Sequence, residues 1–202
     1  MHPVLTLKEL ENISNLQNLS DHLDNARDWL IISCFSAQRI SDFLDFTSKS
    51  IRIEKSIRLI EFKQKKTGKL MSIPILPQVQ KILDKHAGEF PRKISDQKYN
   101  DYIKIVCEKA DIKNKITGYK VISDNDSKEK RRVKGEYPKF ELVSSHIGRR
   151  SFSTNFYGQI PTSDLMYLTG HTRESNFLRY INKSNSDRAH DIAKRFNSLS
   201  SL

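Results

Sequence analysis

Cysteine is scarce in this 202-residue chain, and long apolar runs and Pro/Gly/Ser linkers are absent. The two cysteines, Cys34 and Cys107, stand far apart in apolar helical stretches. They read as reduced core residues of a cytoplasmic protein, not as a disulfide or metal site. No apolar run approaches the roughly 20 residues that span a bilayer, so no membrane partner is expected. The start, MHPVLTLKELEN, lacks the charged beginning and apolar core of a signal peptide. There is no H-E-x-x-H, no Cys/His cluster and no carboxylate set spaced for magnesium, so neither metal nor cofactor is expected. Acidic residues are also short: 24 Asp and Glu face 35 Lys and Arg, for a formal charge of +11. Such an excess suits a polyanion, because cations that neutralise phosphates release counterions. A basic surface kept only for solubility would look the same.

The remaining composition, 37% hydrophobic and 29% charged, is globular. One domain over residues 1–202 is expected, since no internal repeat divides the chain. A helix over TLKELENI has Thr6 as its candidate N-cap. A second spans His22–Phe35, is interrupted at SAQR, and is followed by a turn or two over ISDFLDF. Residues 51–75 change to period two, with IRI, SIRLIEF and LMSIPI reading as an antiparallel sheet with a tight turn near Gly68. Helices return at PQVQKILDKHA, with Pro77 in the first turn, and at Ser95–Ala110, with Tyr99, Tyr102 and Val106 on one face. KITGYKVI and FELVS read as hairpin arms around a basic tip, NDSKEKRRVKGE. The last third is helical, at about 145–157, 162–168, 173–181 and 187–198. The fold class is mostly α with a small antiparallel sheet, an α+β domain.

Four local patterns can carry chemistry. In SSHIGRRS, His146 and Arg149 are three apart on one helical face, with Ser144 or Ser145 available as cap. A histidine and an arginine near a helix N-terminus suit a phosphate, although such pairs are also common on solvated basic faces. In LTGHTRESNFLRYI, Thr169-Gly170 ends one helix, His171 sits on the turn, and Tyr180 follows nine positions later. Helical spacing alone favours a core role for Tyr180, beside Phe177 and Ile181. KQKKTGKLMSIP offers a lysine at the mouth of a β-turn, or simply a charged hairpin tip. Arg39 lies at the SAQR break, and Asp42 can lie beside it and hold its guanidinium, an arrangement shared with ordinary exposed ion pairs.

The order and combination are more specific than any one signal. ARDWLIISCFSAQRISDFL, then SSHIGRRSFSTNFY, then LTGHTRESNFLRYI resemble the boxes of the tyrosine recombinase (phage integrase) catalytic domain, in a style closest to integrases of Bacteroides-type mobile elements. The resemblance covers essentially the whole chain. It implies the tyrosine recombinase catalytic-domain fold and site-specific cleavage and rejoining of DNA through a 3′-phosphotyrosyl link. It further implies that Arg39 and Arg149 clamp the scissile phosphate, Lys66 protonates the 5′ leaving oxygen, His146 assists proton transfer at the nucleophile, His171 donates a hydrogen bond to the phosphate, and Tyr180 attacks phosphorus, with Asp42 supporting. Lys63 and Lys65 are close enough to Lys66 to take its place. Lys63, Lys65, Lys69, Arg150, Arg131 and Arg132 are the expected DNA contacts. SAQR departs from the family's usual Thr-Gly-Leu/Met-Arg turn, and Ala37 is expected to be small enough to stand for the glycine.

The same resemblance implies double-stranded DNA as partner, a monomer when free and a homo-tetramer on DNA, in the cytoplasm of a bacterium at its nucleoid. The chain starts where the catalytic domain should start, so an N-terminal core-binding domain is expected to be missing. The tail 184–202 forms an amphipathic helix with Ala189, Ile192, Ala193 and Phe196, to dock on its own domain or on a neighbouring protomer. Two other activities share the residue set or the fold: relaxation of supercoils by a type IB topoisomerase, and DNA binding without catalysis.

Overall fold

The computed structural model describes residues 2–123 and 130–199. Helices α1 (Leu7–Ser14), α2 (Asp21–Ser36) and α3 (Ile40–Phe43) open the chain. Thr6 caps α1 in a capping box with Glu9, as its sequence position predicts. Helix α2 is buried almost all round, which fits its low amphipathicity, and α4, α5 and α6 pack on it.

Strands β1 (Ile51–Glu54), β2 (Ile57–Lys63) and β3 (Leu70–Pro74) form an antiparallel sheet in the order β1-β2-β3. Lys63 pairs with Leu70, so the loop between them carries Lys65, Lys66 and Gly68. Helices α4 (Pro77–Lys85) and α5 (Asp96–Lys109) follow, and Tyr99, Ile103 and Val106 of α5 are buried against α2. The core is dense in rings: Trp29 stacks on Phe90 and meets Phe43, which is edge-on to Tyr99. Cys34 and Cys107 are both free in this core, and burial pushes the Cys34 thiol up to about 12.

Strands β4 (Lys115–Ser123) and β5 (Lys130–Pro138) make a separate two-stranded ribbon. This corrects the expected second arm. Its register runs from Lys115–Pro138 to Ser123–Lys130, and Phe140, Glu141 and Leu142 of FELVS lie, with Lys139, in a 3-10 turn instead. The reason is non-local: Phe140 N and Lys139 N donate to Ile112 O and Asn114 O, and Lys139 Nζ meets Glu9 of α1 at 2.6 Å. Arg131 and Arg132 therefore sit on β5 rather than at a tip, and the first residues of the expected tip, 125–129, lie outside the described residues.

Helices α6 (Ile147–Phe156), α7 (Thr162–Thr169), α8 (Glu174–Tyr180) and α9 (Asn185–Leu199) complete the chain. Ser151 and Asn155 of α6 hold the chain start, through Leu5 N to Ser151 Oγ at 2.8 Å and Asn155 Nδ2 to Leu5 O at 2.9 Å. Phe152, Leu165, Phe177 and Ile181 form a second, smaller apolar cluster around Ala37. No helix among the described residues is long and apolar enough to cross a membrane.

Candidate active site

Two helix ends bring the arginines together. Helix α2 stops at Ser36 because Ala37 turns into the left-handed region, φ 60°. Ala37 thus adopts a conformation that glycine takes more readily, at a cost of about 1 kcal/mol. The turn leaves Arg39 as the N-cap of α3. Helix α6 crosses α2 so closely that a Cβ on Gly148 would lie 2.1 Å from Ser33 Oγ and 2.7 Å from the Ser33 carbonyl carbon. Only glycine permits this approach. It brings Arg149, 4% exposed, to the end of α2, where its Nη1 donates to Ala37 O at 3.3 Å.

Arg39 Nη1 is buried without a hydrogen-bond partner, and neither Arg39 nor Arg149 forms an ion pair with a carboxylate among the described residues. Burial, then the nearby Arg39 charge, lowers the Arg149 pKa to about 10, still protonated at neutral pH. Asp42 does not hold Arg39 as expected. Its Oδ1 accepts from Lys65 N at 2.9 Å, so it fixes the lysine turn instead. Its link to Arg39 runs through the backbone, Asp42 N donating to Arg39 O at 2.8 Å, because Arg39 is the extended N-cap residue and its side chain leaves the chain before the helical turn begins.

The serines do not cap α6 with their side chains. His146 is its N-cap residue, while Ser144 O accepts from Ile147 N and Ser145 N donates to Asn100 Oδ1. His146 keeps an exposed edge at the helix start. Its partial desolvation, followed by Arg150, Arg149, Arg39 and Lys66, lowers its pKa.

Gly170, φ 63°, terminates α7, and His171 N closes the turn on Met166 O at 2.9 Å. Thr169 Oγ1 donates to Leu165 O at 2.6 Å and lies 2.7 Å from His171 Nδ1. With the hydroxyl proton committed, Nδ1–H must donate to Thr169, which assigns the neutral tautomer and leaves Nε2 as an acceptor. Desolvation, Arg149 and Arg39 lower the His171 pKa to about 4.

Tyr180 is the last residue of α8. Its ring lies 5.1 Å from that of His171, and the Arg150 guanidinium carbon is 4.8 Å from its centroid. The hydroxyl oxygen is buried. It lies against the Arg149 guanidinium without reaching good hydrogen-bond geometry. Burial pushes the phenol pKa up, while Arg150, Arg149 and Arg39 pull it down. The core role that spacing favours is therefore only half realised: Phe177 and Ile181 are core, and Tyr180 is turned toward cations.

Among the turn lysines, Lys65 pairs with Asp45, and Lys69 lies 5.1 Å over the Tyr167 ring. Lys63 and Lys66 are exposed, and only Lys66 contributes to the His146 environment. Arg132 stacks on Tyr119 at 4.6 Å and, with Lys104, Lys120, His146 and Arg150, lines a groove of about 540 Å³ between the ribbon and the start of α6. Arg150 thus faces both this groove and Tyr180.

Two glutamines, missed by sequence reasoning, tie these segments together. Gln38 Nε2 donates to Ser36 O at 2.7 Å and to Leu168 O at 2.8 Å, joining the Arg39 turn to the helix before His171. Gln64 Nε2 reaches Gln38 Oε1 at 3.4 Å, and Gln64 Oε1 accepts from Thr67 Oγ1 at 2.8 Å within the lysine turn. Their one sequence signal is position: Gln38 immediately precedes Arg39, and Gln64 lies two before Lys66.

No protein-family model matches the chain, and no curated protein matches its sequence. Solved structures do. The XerH site-specific recombinase bound to palindromic difH substrate superposes with a TM-score of 0.61 at 14% identity, over 99% of this chain and 53% of that one. A lambda integrase dimer bound to a COC′ core site gives 0.61 at 16% identity, over 91% and 60%. The Tn1549 transposon integrase in complex with transposon right end DNA gives 0.58 at 14%, over 96% and 66%. The chain spans about half the length of the first of these. What the geometry and the likenesses establish together is the tyrosine recombinase catalytic-domain fold, mostly helical with small antiparallel sheets, in this chain.

Proposed function

We propose that this chain is the catalytic domain of a site-specific DNA recombinase or integrase. The observation that carries the proposal is the convergence on one buried tyrosine hydroxyl of arginines that have no carboxylate partner. A phosphodiester resists attack because its anion repels nucleophiles and its alkoxide leaves poorly. Arg39 and Arg149 neutralise the charge growing on the non-bridging oxygens, and each such fixed donor is worth on the order of 100-fold or more in rate. Tyr180 Oη bonds to phosphorus as the bond to O5′ breaks. The phenol proton passes to His146, which its lowered pKa keeps neutral, and Lys66 protonates O5′. The phosphotyrosyl bond retains the energy of the broken one, so rejoining by the reverse path needs no ATP.

His171 supports the phosphate from the other side. In the free protein its Nε2 is an acceptor, so donation to a phosphate oxygen requires the imidazolium, which an incoming anion favours. The ribbon residues Arg131 and Arg132, the turn lysines Lys63, Lys65 and Lys69, and Arg150 are the proposed duplex contacts, acting mainly on the phosphate backbone. The partner is double-stranded DNA, in the bacterial cytoplasm at the nucleoid. The free protein is a monomer and assembles as a tetramer on DNA. Residues 184–202 are proposed to dock on a neighbouring protomer, to which the exposed Ile192 of α9 is available. Unchanged synapsis in a gel after deletion of that segment removes the trans contact.

The central test is trapping on a nicked duplex whose 5′ fragment diffuses away after cleavage. Wild type should yield a protein–DNA adduct stable in SDS, and Tyr180→Phe none. An equal adduct from Tyr180→Phe, or none from wild type bound to its own site, refutes the nucleophile.

A further inference from the structure

Arg150 follows Arg149 on α6, so the two side chains leave the helix about 100° apart. Arg149 turns to the end of α2, and Arg150 turns to Tyr180. At 4.8 Å from the ring centroid, the guanidinium is well inside the about 6 Å at which a cation and an aromatic face attract. His171 holds the same ring at 5.1 Å, tilted by 48°. Arg150 Nε is buried with no hydrogen-bond partner, and the side chain forms no ion pair among the described residues. A cation kept for solubility would be hydrated, and one kept for stability would be paired. This one is half-buried, with its guanidinium carbon over the nucleophile's ring and the groove on its other side.

We infer that Arg150 is a positioning residue for Tyr180: its guanidinium clasps the ring together with His171, aims the hydroxyl at Arg39 and Arg149, and eases loss of the phenol proton. This rests on the reading of Tyr180 as nucleophile. The physical basis is that a cation over a π face is attracted by the ring quadrupole, and more strongly once the ring carries the phenolate charge. In the free protein the proton goes to solvent, and no other bond changes. Lysine replaces arginine poorly here, because a planar guanidinium stacks and a hydrated ammonium does not. Arg150 is also the foremost of the charges that oppose the effect of burial on the phenol.

The test uses Arg150→Met, which keeps length and helix preference, and Arg150→Lys. Both are made in protein labelled with difluorotyrosine, whose phenols ionise at accessible pH, and Tyr180→Phe assigns the Tyr180 signal by fluorine NMR. The expected result is ionisation of Tyr180 at higher pH in Arg150→Met, with Arg150→Lys between it and wild type and the other tyrosines unmoved. Adduct formation on the nicked duplex should slow about tenfold at neutral pH, and recover at high pH. Duplex affinity in a gel shift should change less than about threefold, the effect of one lost phosphate contact. Unchanged Tyr180 ionisation overturns the inference, as does equal slowing at every pH. Lost duplex binding with unchanged ionisation would leave Arg150 a DNA contact alone and overturn the positioning role. If wild type gives no adduct, the nucleophile reading fails while the ionisation shift still decides whether Arg150 controls this phenol.

Discussion

Helix α2 has a cluster of cations at each end. At its start, Arg27 meets Asp24 at 2.6 Å and Asp28 at 3.0 Å, while Lys85 and His86 from the end of α4 reach Asp28 at 2.6 and 2.9 Å. At its other end, Arg39, Arg149 and Arg150 gather without a direct ion pair among the described residues, and the nearest carboxylate felt by Arg149, that of Asp42, acts on it only through its field. Asp28 is as deeply buried as Arg149, so burial does not separate the two groups. Pairing does. The first cluster is neutralised and joins α2 to α4. In the second, Arg149 donates to the Ala37 carbonyl that caps α2, where a helix end supplies about half a negative charge. That holds the guanidinium in place and leaves its field to act on an anion.

Several substitutions would break or sharpen this contrast. Arg149→Met should slow adduct formation by about 100-fold or more without lowering the melting temperature, because it removes a buried charge that no ion pair balances. A parallel loss of stability would mean that Arg149 is structural after all. Asp28→Asn should do the reverse, costing about 3 kcal/mol in denaturant unfolding and leaving the cleavage rate of folded protein alone. Gly148→Ala should cost about 2 kcal/mol, since the clash includes Ser33 backbone, and the displaced α6 should carry Arg149 away from Ala37 O.

Acid should separate the two ends as well. His171 binds its proton near pH 4 when folded and near 6.5 when unfolded, so the unfolded chain takes up the proton first. Stability should fall as pH drops from about 6.5 to about 4, and His171→Gln should flatten part of that slope in thermal melts. The smallest change is expected at Ala37→Gly. Relief of the left-handed strain offsets a lost buried methyl, and urea unfolding should move by less than about 0.5 kcal/mol.

Particular residues show how far reading along the chain reaches. Thr6 as cap, Pro77 in a first turn, the reversal at Gly68 and the Gly170 stop are all signalled within a few residues, and the structure has them there. The alternation in FELVS is equally local, and it misleads, because Phe140 and Lys139 are claimed by Ile112, Asn114 and Glu9. Asp42 lies three residues from Arg39, yet it serves Lys65, 23 positions away. Gln38 and Gln64 look like ordinary polar residues until both are buried against each other.

The sequence by itself determined the helices, the small sheet, the basic excess and the residue types available for phosphate chemistry. Those depend on periodicity, capping and composition, which act over one or two turns. Only the tertiary structure decided which cations are neutralised and which stay open, because an ion pair depends on distances between segments that chain order does not specify. The close crossing at Gly148 and the left-handed turn at Ala37 put Arg149 against the Ala37 carbonyl instead of in an ion pair. A cation held by partial charges alone can still bind an anion strongly, whereas one already paired cannot.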